Sequence, residues 1–192
     1  MKLSVKDLIS IGLFSVIYFI GFMIAGILGY IPLCVVILPL IAAVLGGIPF
    51  VLLALKVQKF GAVTLLGLIA GLLSFIMGQT WMSIPFGLVF GLIADLIMKS
   101  GEYSTWSKNL LAYSVFSLWT IGTMLPMWIM RDSYFAAYAD NGATDAYIEA
   151  VMDLTPTYMI AVVAVLGLLG GFLGAMLGKA VLRKHFEKAG IV

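Results

Sequence analysis

The chain has 192 residues, 63% hydrophobic and 10% charged, with a net charge of +2 and a mean hydropathy of +1.16. A soluble domain keeps roughly 25% charged residues to cover its surface, so this composition excludes one and makes lipid the solvent. The single cysteine, Cys34, excludes an intrachain disulfide, and no Cys/His cluster stands ready to hold a metal.

MKLSVKDL, at the start, has the basic character of a signal peptide. The apolar stretch behind it is too long for a signal h-region and has no small-residue cleavage site, so we read it as a retained first span. A spanning helix needs about 20 mostly apolar residues. The first covers residues 8–29 and ends before Pro32, since proline cannot continue a helix without losing a backbone bond. The second covers 33–55 and stops at Lys56. Residues 61–98 carry no charge except Asp95. That stretch is too long for one span and fits two short ones, 61–78 and 81–98, turning at Gln79 and Thr80. A fifth span covers 110–130 and a sixth 157–182. The expected fold is therefore all-α, one membrane domain over 1–192 with six transmembrane helices. Five spans remain the alternative if 61–98 is partly re-entrant.

Six spans place Lys2, Lys6, Lys56, Lys59, Lys99, Lys108, Lys179, Arg183, Lys184 and Lys188 on one side and Arg131 alone on the other. Short loops rich in Lys and Arg stay cytoplasmic, so both termini are expected inside. Residues 131–156 form the one long loop, with Asp132, Asp140, Asp145, Glu149 and Asp153. Its segment ATDAYIEAVMDL sets Ala146, Ile148, Val151 and Met152 among acids, which predicts a short surface helix. Loops of this length are often lids or binding loops.

The chemistry-bearing motifs are few. Gly178-Lys179-Ala180 lacks the upstream glycine and the Ser/Thr of a phosphate loop. No Gly-x-Ser-x-Gly or His-Glu-x-x-His occurs, and the one histidine, His185, lies in the tail. We therefore expect no catalytic residue, no metal and no resident cofactor. Asp95 is the intramembrane carboxylate, and such groups are functional candidates by default. Its place one turn before Lys99 favours an i,i+4 pair near the inner boundary, with a transport role as the alternative. Gly167, Gly170, Gly171, Gly174 and Gly178 stripe the last span, and small residues let membrane helices approach closely. A second stripe in the first span, Gly12 and Ser15 with Gly21, Ala25 and Gly29, offers a face on which a partner helix could dock.

Aromatic and methionine side chains crowd the outer ends: Tyr30, Trp81, Met82, Trp119, Met124, Met127, Trp128, Tyr134, Tyr138 and Tyr158. An interfacial belt explains aromatics at both faces. A one-sided crowd also fits a pocket for a flat small molecule, lined by rings and thioethers. Arg131 and Asp132 sit at its rim. They either hold the start of the loop or anchor a polar ligand, for which arginine offers a planar five-donor fork.

In order along the chain, VKDLISIG, FGLVFGLIADLI, VFSLWTIGTMLPMWIMRDSYF, LTPTY and GKAVLRKHFEKAGI resemble the Trep_Strep family, grouped with the substrate-binding S components of energy-coupling factor (ECF) transporters. The resemblance covers nearly the full length. It implies a multi-pass protein of the bacterial plasma membrane that binds a vitamin-like or related solute on its outer face. It also implies partners: a membrane T component and two ATPases, which alone would use ATP while the S component topples to release its cargo inside. Gly12 and Ser15 would contact the T component, where the usual pattern is Ala-x-x-x-Ala. The expected solute contacts, chosen for side-chain chemistry, are Tyr30, Gln79, Trp81, Trp119, Met127, Trp128, Arg131, Asp132 and Tyr158. A small membrane enzyme, or a structural or regulatory membrane subunit, is the competing reading.

Overall fold

The structure is a computed structural model that describes residues 2–188, with side chains through Arg183. Every regular element among the described residues is helical. The side chains of Lys184, His185 and Lys188 lie outside the described residues.

Helix α1 (Val5–Ile27) starts at a capping box. The Ser4 hydroxyl accepts from the Asp7 amide at 3.3 Å, and the Asp7 carboxylate accepts from the Ser4 amide at 2.7 Å, so two orphan amides are satisfied reciprocally. A 3₁₀ turn at Leu28–Tyr30 closes α1. Ile31 is extended ahead of Pro32, which opens α2 (Pro32–Lys56) at its first position, where the missing N–H is no loss. Helices α3 (Ala62–Ile76) and α4 (Ser83–Lys99) follow. Gly61, before α3, has φ +97°, a left-handed conformation that glycine adopts without penalty. Helix α10 (Met159–Lys188) closes the chain.

Three segments are long and apolar enough to cross a membrane: Val5–Tyr30, Pro32–Lys56 and Met159–Arg183. Helices α3 and α4, with 15 and 17 residues, are shorter. The stretch 110–130 is not one continuous helix. Helix α5 (Trp106–Phe116) passes into a 3₁₀ turn at Ser117–Thr120, then α6 (Ile121–Met124) and α7 (Pro126–Ile129). The Ser117, Thr120 and Thr123 hydroxyls donate back to the carbonyls of Tyr113, Ser117 and Thr120, and such back-bonding bends helices. Pro126 then interrupts the amide ladder.

Two seams of bare backbone set the packing. A Cβ on Gly47 would overlap the backbone of Gly174, and one on Gly67 the carbonyl of Gly87. Helix α2 is thereby seated on α10, and α3 on α4, at the close range that small residues permit. Between them lies an aromatic core in which Trp119, Tyr18, Tyr113 and Phe116 are fully buried. The Trp119 indole N–H donates to the Tyr18 hydroxyl at 2.8 Å, and the Tyr113 hydroxyl donates to the Ala43 carbonyl at 2.5 Å.

Cations gather at one end of the bundle. Lys59 pairs with Asp7 at 2.6 Å, Lys56 lies over the Phe14 ring, Lys99 over Phe60 and Lys179 over Trp106. At the opposite end the chain between Met130 and Met159 builds two helices, α8 (Arg131–Asp140) and α9 (Asp145–Leu154). The segment read as one long loop with a single surface helix is thus a helical pair. Its second member is capped by Thr144, whose hydroxyl accepts from the Tyr147 amide. Its first, RDSYFAAYAD, has no such starting signal.

Candidate functional site

Beneath α8 and α9 lies a cavity of about 980 Å³, at the upper end of the roughly 300–1,000 Å³ of small-molecule sites. Its buried part combines Phe22 of α1, Val35, Pro39 and Ala42 of α2, and Thr120, Thr123, Met124 and Met127 of the broken stretch. Tyr30, Gln79, Trp81, Asn141 and Thr144 stand at its exposed rim. Met23, Met77 and Met130 complete a methionine-rich wall, whose unbranched thioethers adapt to irregular shapes.

Three tyrosines roof the cavity. Tyr134 donates to the Tyr138 hydroxyl at 3.1 Å. The Tyr138 and Tyr147 rings are nearly parallel, 3° apart with centroids at 6.3 Å. Tyr147 donates to the Gly29 carbonyl at 2.5 Å, tying α9 to the end of the first helix. Burial first, then the neighbouring Tyr138 and Tyr30, pushes the Tyr147 phenol up to about 12. Burial also raises Tyr134, helped by Tyr138. Both stay neutral at ordinary pH.

Of the expected contacts, Tyr30, Gln79, Trp81 and Met127 line this cavity; Trp119, Trp128, Arg131, Asp132 and Tyr158 do not. The Arg131 guanidinium donates to the carbonyls of Met152 at 2.7 Å, Thr155 at 2.9 Å and Met127 at 3.4 Å, and stacks over Phe135. It caps the carbonyl ends of α7 and α9, where a cation is favoured by the helix dipole. Its donors meet main-chain oxygens rather than Asp132, which is exposed. Of the two roles open to Arg131, this geometry is that of a loop clasp. Trp128 donates to the Pro156 carbonyl at 3.1 Å and braces the same joint. Trp119 belongs to the core, and Tyr158 is 70% exposed.

The structure also corrects Asp95. Its Oδ2 accepts from the amides of Gly61 at 3.0 Å and Thr64 at 2.7 Å and from the Thr64 hydroxyl at 2.6 Å. The carboxylate caps the start of α3 from across the helix pair, while Lys99 lies over Phe60. Ser15 is fully buried, whereas Gly12 is half-buried with open space where a Cβ would stand. The two therefore do not present one open face.

Thr120, Thr123, Tyr147 and Asn141 line the cavity without having been singled out as solute contacts. One signal for the first two was present. Thr120, Thr123, Met124 and Met127 fall at i, i+3, i+4 and i+7, the spacing of a single helix face.

A family model described as "Hypothetical bacterial integral membrane protein (Trep_Strep)" matches residues 5–188. No curated protein and no solved structure matches the chain.

Proposed function

The chain belongs to the Trep_Strep family of bacterial integral membrane proteins, and from that premise we propose that it is the solute-binding S component of an ECF-type importer. The observation that carries this reading is the cavity of about 980 Å³ roofed by α8 and α9 at the end away from the clustered lysines. With short Lys-rich segments held in the cytoplasm, the cavity opens outward. On this reading six helical segments cross the plasma membrane with both termini inside. The α8–α9 pair covers a vitamin-like solute, and a T component with two ATPases supplies the energy. The chain itself then needs no catalytic residue and no cofactor of its own.

Co-expression with a T component and its two ATPases tests this. Affinity capture of the tagged chain is expected to recover all three partners. Vesicles containing the four proteins should accumulate solute only when ATP is present on the ATPase side. Failure to recover any partner, with the chain intact and monodisperse, would remove the assignment.

A further inference from the structure

We infer that the cavity selects an uncharged, flat solute that presents an N–H or O–H donor to its buried edge. The inference rests on the reading of the cavity as the solute site.

Charge is the first argument. Among the described residues, none of the side chains lining the cavity is Asp, Glu, Lys, Arg or His. Arg131, which opens α8, does not line the cavity; it donates three hydrogen bonds to the carbonyls of Met127, Met152 and Thr155 and stacks over Phe135. Of the lining phenols, Tyr147 is anchored to Gly29 and Tyr134 donates to Tyr138. An ion reaching the buried part, walled by Phe22, Val35, Pro39, Ala42, Met124 and Met127, would give up its hydration without meeting a charged side chain there, the least favourable kind of burial.

The second argument is the direction of the polar groups. Thr120 and Thr123 are the hydroxyls in the buried part, 2% and 5% exposed. Both hydroxyl hydrogens point back into the helix, to Ser117 at 2.9 Å and Thr120 at 2.7 Å. Each hydroxyl then has only lone pairs left to offer. A solute edge that meets them gains by donating, and one that can only accept leaves them unpaired. Flatness follows from the walls, where the aromatic side chains Phe22, Phe135, Tyr134 and Trp81 line the cavity and aromatic groups favour offset or edge-to-face contacts.

Four tricyclic probes of nearly equal shape separate these features. Acridone is neutral with an N–H; N-methylacridone is neutral without it; acridine carboxylate is an anion; N-methylacridinium is a cation. Binding to the purified full chain is read by quenching of tryptophan fluorescence. We expect acridone to bind roughly tenfold or more tightly than either ion, since an unmatched buried charge weakens binding by at least that factor. Acridone should also exceed N-methylacridone severalfold, a margin that shrinks in Thr123→Val. Tighter binding of either ion overturns the inference and leaves the transport reading standing. No binding by any of the four overturns the inference and the cavity reading together. Mass spectrometry of small molecules released from the denatured protein is an independent check. A neutral compound supports the inference, a carboxylate, phosphate or ammonium compound overturns it alone, and phospholipid by itself overturns both.

Discussion

Tyr147 donates its phenol hydrogen to the carbonyl of Gly29 at 2.5 Å, joining α9 to the turn that ends α1. Tyr147→Phe keeps the ring beside Tyr138 and deletes only this bond. A net hydrogen bond is worth about 0.5–1.5 kcal/mol, so amide hydrogen exchange in α9 is expected to speed up roughly 2- to 10-fold. Unchanged protection would show that α9 is held by packing alone.

The same phenol gives a pH signature. Burial and its neighbours place Tyr147 at about 12, above the ordinary value of about 10. A raised folded pKa gives stability that is complete below the unfolded value and lost as pH climbs through the folded one. The stability difference between the wild type and Tyr147→Phe is therefore expected to stay constant from about pH 6 to 9 and to shrink above about pH 10. Thermal unfolding across that range measures it. A change near neutrality would point to a different titrating group.

Asp95 serves α3 as a cap supplied from α4. Asp95→Ala removes the acceptor of three hydrogen bonds and is expected to lower stability by about 1–3 kcal/mol. Asp95→Asn, which keeps one acceptor oxygen, should recover part of it. Lys99→Ala should matter little, because Lys99 stands over Phe60. Equal losses in the alanine variants at 95 and 99 would restore the ion pair.

Arg131 joins α7 to α9 through its planar fork. Arg131→Lys preserves the charge but cannot span the Met152 and Thr155 carbonyls together. Both Arg131→Lys and Arg131→Ala are expected to loosen the end of α9 in hydrogen exchange. Neither should alter which of the charged and neutral tricyclic probes binds best. A switch in that preference on Arg131→Ala would place the guanidinium in the cavity after all.

Gly87→Ala puts a methyl group into the carbonyl of Gly67. Overpacking of this kind destabilises by about 1–3 kcal/mol or more, measurable as a lower unfolding temperature in detergent. Gly12→Ala, with nothing within 4 Å of its Cβ position, is the control and should be near neutral.

Local signals were readable in the sequence. Ser4 with Asp7 starts α1, Pro32 opens α2, and the hydropathy of the first, second and last helices marks them as membrane segments. Partners distant in the chain were not readable. Arg131 sits beside methionines and a tryptophan in sequence, yet its strongest bonds reach Met152 and Thr155. Trp119 looks like a rim aromatic until Tyr18 accepts its N–H inside the core. Tyr147 lies in a segment whose acids announce a surface helix, while its ring turns to the cavity. Asp95 has a basic neighbour one turn away, but three donors across the helix pair outcompete it.

The glycine seams also impose an order of assembly. Helices α3 and α4 are consecutive, so Gly67 and Gly87 can meet soon after both emerge from the ribosome. Gly47 must wait for Gly174, which lies far along the chain in α10. Until then α2, which supplies Pro39 and Ala42 to the cavity, packs on α1 but lacks its α10 neighbour. A nascent chain halted before residue 159 therefore carries every residue that lines the cavity but lacks the helix on which α2 is seated.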